Sequence, residues 1–183
     1  MNSQQLKPVL RIALIALLAG LYACGGHSNE SGTASKRIFP GFNVALDSVL
    51  KSPKGIFRGL NLGMPIDSIK RLEARKPATE NNDRLVYHIM LDSLTQFDIS
   101  YWLNENHLAE IELDLFCKDL DRTTIIFDDL KAIYTERLGK PEQGNQGTLV
   151  FTDQKANSPL SITLSDDSSL DKGKISLSIY EEE

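Results

Sequence analysis

Three residues of the types that make a hydrolytic triad fall into one alignment if consecutive strands pair: His88, Ser100 and Glu110. A triad needs His between nucleophile and acid, whereas this row puts Ser on the middle strand. No nucleophile elbow or glycine-rich oxyanion segment accompanies it, so the row reads as polar residues on a solvated face. Cys117 next to a His would suggest a thiol nucleophile, yet its strand phase matches Leu113 and Leu115, where Cys packs as a small hydrophobe. Asp98, Glu110, Glu112 and Asp114 share the opposite phase and invite a divalent cation. Alternate residues of one strand lie about 7 Å apart, too far to grip one ion without help from a neighbouring strand. The run 166–171 (Asp-Asp-Ser-Ser-Leu-Asp) has a calcium-like composition without the glycine and distal Glu of an EF-hand loop. The three His show no zinc spacing, and no Walker, Rossmann or kinase pattern occurs. The expectation is no metal and no cofactor.

Trp102 resists a bland reading. It is the only Trp of the chain, and alternation turns it outward beside Val86 and Leu108, rimmed by His88, Asp98 and Glu110. Trp is enriched in interaction hot spots, and an apolar centre with a charged rim is a common interface plan. Trp102, Val86, Leu108, His88 and Glu110 are therefore the expected partner-binding residues. The alternative is that segment 42–50 or the second half of the chain covers the indole.

The elements that must position these residues form a repeat. Gly63-Met64-Pro65 opens a helical pattern carrying Ile66, Ile69 and Leu72 on one face, stopping near Lys76-Pro77. A second helix over about 124–138 turns Phe127, Leu130, Ile133, Tyr134 and Leu138 inward and stops at Gly139, before Lys140-Pro141. Three strand patterns follow each helix: 85–91, 97–103 and 108–117, then 149–152, 160–165 and 174–180. The pattern repeats from Lys76-Pro77 to Lys140-Pro141 and from Leu85 to Leu149. The spacing predicts an α+β fold of duplicated α-β-β-β units, about 57–117 and 121–180, in an antiparallel sheet with helices packed on one face. Segment 42–50 adds a short helix through Phe42, Ala45, Leu46 and Val49.

Register follows from keeping inward residues together. A three-residue loop 104–106 pairs Tyr101 with Ala109 and Ile99 with Ile111; a loop near 92–96 pairs Leu91 with Phe97 and Tyr87 with Tyr101. The outer rows then read Val86–Trp102–Leu108, His88–Ser100–Glu110 and Met90–Asp98–Glu112. On the second half, Val150, Thr152, Ser161, Thr163, Ser176, Ser178 and Tyr180 face outward.

The N-terminus supplies an address. Lys7 and Arg11 precede an apolar run over 12–23, no acid occurs before Glu30, and the run is shorter than the roughly 20 residues of a spanning helix. Leu21-Tyr22-Ala23-Cys24-Gly25 resembles the bacterial lipobox, in which the signal is cut before Cys and the sulfur is acylated. This implies a signal peptide over 1–23, lipidation at Cys24, a Ser- and Gly-rich tether to residue 40 and a single domain over 41–183. Two or three acyl chains anchor a protein stably, at about 0.8 kcal/mol per buried CH₂. The absence of Asp after Cys24 implies, by the same resemblance, the outer membrane of a Gram-negative envelope. Cys24 and Cys117 are the only Cys, so lipidation of the first leaves the second no disulfide partner.

The chain has 183 residues, 41% apolar and 25% charged, with a formal charge of −5. That composition excludes disorder and collagen, and the charge argues against a nucleic-acid partner held through phosphates. Gly63-Met64-Pro65-Ile66-Asp67-Ser68-Ile69 and Leu138-Gly139-Lys140-Pro141 resemble the helix start and exit of the BamE (SmpA/OmlA) outer-membrane lipoproteins. The duplicated helix-plus-sheet layout is similar to the β-lactamase inhibitor protein, which binds its partner across the sheet. The combined expectation is a non-enzymatic, membrane-anchored lipoprotein that binds a protein or envelope component through an open sheet face. The rivals are a periplasmic small-ligand or divalent-cation binder and, behind it, a hydrolase.

Overall fold

Eight strands pair antiparallel into one sheet: β1 (Thr79–Glu80), β2 (Arg84–Met90), β3 (Thr95–Asn104), β4 (His107–Cys117), β5 (Glu142–Gln143), β6 (Leu149–Asp153), β7 (Leu160–Asp166) and β8 (Gly173–Glu181). The computed structural model describes residues 36–154 and 159–182, and Cys24, the expected signal peptide and most of the expected tether lie outside them. Strand order is β1-β2-β3-β4-β8-β7-β6-β5, so each run of four strands forms its own side and the two meet where β4 pairs with β8. Among the described residues three α-helices complete the α+β fold: α1 (Ala45–Leu50), α2 (Ile66–Glu73) and α3 (Leu120–Leu138).

The strands alternate as their sequences dictate. In β3 every second residue from Thr95 to Leu103 is buried, and in β4 Ile111, Leu113, Leu115 and Cys117 are buried. Ile175, Leu177 and Ile179 of β8 continue the same face, as do Ile162 and Leu164 of β7. Leu46, Val49, Ile69, Ile126, Leu130 and Tyr134 of the helices join this face in one apolar cluster. All three helices therefore cover the same side of the sheet. Cys117 is buried there with its thiol toward Thr95, as its phase implies.

α3 begins at Leu120, earlier than periodicity indicates, because the Asp119 side chain accepts from the Asp121 and Arg122 amides at 2.9 and 3.2 Å. It ends at Gly139, whose positive φ of 95° closes the last turn onto the Thr135 carbonyl. α2 ends sooner than Lys76-Pro77, at a left-handed Ala74 whose amide donates to the Lys70 carbonyl. α3 crosses close over β8. A Cβ added at Gly173 would sit 1.8 Å from Thr123 Oγ1, so only glycine admits this approach.

The hairpin registers differ from the sequence expectation. Glu105 and Asn106, both at positive φ, form a two-residue turn, and Asn104 pairs with His107. The ladder then shifts between Leu103 and Trp102, leaving Ala109 as an extra residue in β4. Ile99 consequently pairs with Leu113 instead of Ile111, and Tyr101 with Ile111 instead of Ala109, which is exposed. Across β2 and β3, Tyr87 pairs with Ile99 and Leu85 with Tyr101, again two residues from the expected register. Inward residues remain opposite inward residues, because a slip of two preserves the face.

Candidate functional site

Among the described residues no helix lies on the second face of the sheet, and its rows are those of the observed register. The row that contains Trp102 runs Arg84–Trp102–Glu110–Tyr180–Ser161–Thr152. The next runs Thr79–Val86–Ser100–Glu112–Ser178–Thr163–Val150–Glu142 across all eight strands. Beyond it lies His88–Asp98–Asp114–Ser176–Ser165.

These rows correct the expected ones. Leu108 is 1% exposed and belongs to the core, because the extra residue Ala109 reverses the phase of β4 at its start. Val86 keeps its outward phase but pairs with Ser100, not Trp102, and is itself only 8% exposed. Trp102, His88 and Glu110 are on the outer face as expected. The row His88–Ser100–Glu110 does not form: His88 pairs with Asp98, and Ser100 stands between Val86 and Glu112.

Trp102 is half-buried within this face, not under α1, which packs on the other side. The Arg84 guanidinium stacks 4.7 Å from the indole centroid. Indole Nε1 donates to Glu112 Oε2 at 2.7 Å. The remaining charges mostly pair: His88 Nδ1 lies 2.8 Å from Asp98 Oδ1, and Asp114 Oδ1 accepts from Ser176 Oγ at 2.8 Å and Lys174 Nζ at 2.9 Å. Asp98, Asp114, Lys174 and Ser176, together with Ser100, Glu112 and Ser178, line a shallow groove of about 300 Å³. Glu110 differs, since among the described residues its carboxylate has no hydrogen bond or ion pair. Burial pushes its carboxyl up, and the Glu112 carboxylate adds to the rise. Among the described residues no three His, Cys, Asp or Glu side chains are grouped to hold a metal ion. The 166–171 run is the β7–β8 connection, closed by Ser168 N onto Asp166 Oδ1 and Ser169 N onto the Lys172 carbonyl.

Against protein-family models, curated proteins and solved structures, the chain has no match.

Further hollows lie outside these rows. A cleft of about 550 Å³ lies among Gly55, Ile56, Leu138, Leu160 and Glu181, but its Arg137 guanidinium is held by the Gly55 and Ile56 carbonyls. An apolar hollow of about 280 Å³ is lined by Met90, Leu94, Phe116 and Cys117 at the end of β3 and β4.

The sequence reading missed a buried polar cluster on the helix-covered side. Phe57 and Leu60 bridge around Arg58 and Gly59, both at positive φ, in a tight turn that drives the Arg58 side chain inward. Its Nε and Nη2 donate to Glu73 Oε1 and Oε2 at 2.7 and 2.8 Å, and Nη1 donates to the Ser48 and Val49 carbonyls. The Tyr101 hydroxyl donates to Glu73 Oε1. Burial alone would raise the Glu73 carboxyl, yet the bonds and charge of Arg58, with Tyr101 and Lys51, hold it below the usual range. The signal was legible: Glu73 follows Ile66 and Ile69 at helical spacing, an acid on an apolar stripe. Its role is to pin α1 and the Phe57–Leu60 turn to α2 and β3. Tyr87, buried close by with an unpartnered hydroxyl, is pushed up to about 12 by burial and the nearby Glu73 charge.

Proposed function

We propose that the protein is a non-enzymatic lipoprotein, anchored in the cell envelope through Cys24, that binds a protein or envelope component across the open face of its sheet. The observation that carries the reading is that, among the described residues, the helices cover one side only and leave a broad face on which Trp102 and Tyr180 share one row. Outward residues there include small hydroxyls, paired charges, Glu110, Trp102 and Tyr180, a surface fit for recognition over several strands. The non-enzymatic part draws support from the His88–Ser100–Glu110 row, whose members are dispersed over three rows. Duplicated α-β-β-β units are part of the proposal. Their support is the strand order, in which β1–β4 and β5–β8 lie on separate sides, each preceded by a helix and a Lys-Pro pair. The outer-membrane address rests on the lipobox-like motif and the BamE-like helix ends.

Site-specific photocrosslinking in native envelopes tests the binding face. A photoreactive residue at Ser178, at the centre of the open face, should give a discrete adduct. The same residue at Glu136, exposed on α3, should give none. Equal adducts from both positions, or none from Ser178, would overturn the reading.

A further inference from the structure

From the geometry of one row we infer that the open face receives a basic side chain, Lys or Arg, presented by the partner, and that Glu110 is its counter-charge. The inference rests on the docking reading above and names the chemistry of the partner.

Glu110 stands between Trp102 on β3 and Tyr180 on β8, in directly paired positions. Neighbouring strands are about 4.8 Å apart, so the two aromatics are separated by roughly 10 Å, with a carboxylate between them. A cation entering there meets the Glu110 carboxylate with an aromatic residue at the paired position on each neighbouring strand, a composition that favours ammonium and guanidinium groups. Trp102 already accepts one guanidinium, that of Arg84, on its ring. The indole N–H is occupied by Glu112, which fixes the ring and keeps Glu112 beside the row.

Charge accounting singles out the same residue. Asp98 shares a hydrogen bond with His88, Asp114 is paired with Lys174, and Glu112 accepts the indole N–H. Among the described residues Glu110 has no such partner, and it is half-buried next to a like charge. A partner cation relieves both the incomplete solvation and the repulsion from Glu112, so the face is complementary to positive charge at this point. An acidic partner would add a third negative charge to the pair.

The sole Trp gives the readout. The full-length chain in detergent micelles is titrated with pentalysine or pentaglutamate while Trp102 emission is followed. Pentalysine should shift the emission saturably and pentaglutamate should not. Glu110→Gln should weaken pentalysine binding at least tenfold, and Glu136→Gln, on the opposite side of the molecule, should leave it unchanged. Equal weakening by both substitutions would mean general attraction to an acidic protein and overturn the inference, as would an unaltered Glu110→Gln titration. The Ser178 photocrosslink keeps the two levels apart. An adduct that persists undiminished in Glu110→Gln overturns the cationic contact and leaves docking standing. Complete absence of that adduct in the wild type overturns docking itself.

Discussion

Removing the charge of Glu73 is the sharpest perturbation of this fold. The side chains of Arg58 and Glu73 are 2% and 1% exposed, and they share two hydrogen bonds of 2.7 and 2.8 Å. Glu73→Leu leaves a buried guanidinium without its counter-ion and the Tyr101 hydroxyl without its acceptor. Breaking one side of a buried pair costs about 3–5 kcal/mol, a large share of the 5–15 kcal/mol that holds a typical domain together. With a urea slope of about 2 kcal/mol per molar, the midpoint should fall by about 1.5–2.5 M. Arg58→Met alone should cost about as much, because it strands Glu73 and two carbonyls, with only the Tyr101 hydroxyl and the more exposed Lys51 Nζ, 3.8 Å away, left to compensate. The double variant should show a coupling of about 2–3 kcal/mol, the residual loss belonging to the Ser48 and Val49 carbonyls. The acid limb gives an independent reading. The folded carboxyl lies below its unfolded value, so its stabilisation is present above about pH 4.3 and disappears as pH falls through the depressed folded value. Glu73→Gln should flatten that limb. A cost under about 1 kcal/mol, or a coupling near zero, would refute the assignment of the pair as the pin of this region.

Trp102→Ala should lower stability by about 1–2 kcal/mol in a urea melt, the worth of one charged hydrogen bond and one cation–π contact at a half-exposed site. A loss above about 3 kcal/mol would mark the indole as a core element. Cys117, 3% exposed, should label slowly with a thiol reagent in the native chain and rapidly in denaturant; fast native labelling would contradict its inward phase. Gly173→Ala should destabilise by about 1–3 kcal/mol because the new Cβ meets Thr123, and Thr123→Ala in the same chain should recover part of it; an unchanged melting temperature in the single variant would refute the close approach. Cys24→Ser should abolish incorporation of a labelled fatty acid, and persistent acylation would exclude that anchor site.

What the sequence by itself determined was local. Alternation in 97–103 and 111–117 placed Cys117, Tyr101 and Leu115 on the buried side, because strand side chains change face with a period of two whatever the neighbours are. Helical spacing found α2 and α3, and the apolar faces that bind them to the sheet, for the same reason. Register was decided in three dimensions. The two-residue turn at Glu105-Asn106 and the bulge at Ala109 depend on how β3 and β4 twist together, and alternation is blind to a slip of two. That slip exchanged the neighbours of Trp102, from Val86 and Leu108 to Arg84 and Glu110, while the bulge at Ala109 sent Leu108 into the core. The Arg58–Glu73 pair likewise joins a turn to a helix end fifteen residues later. Its acid was visible on an apolar stripe, but only the tertiary docking of the Phe57–Leu60 turn brings the cation that makes its burial tolerable. Pairing β4 with β8 set Tyr180 beside Glu110, a neighbour that no spacing along the chain encodes.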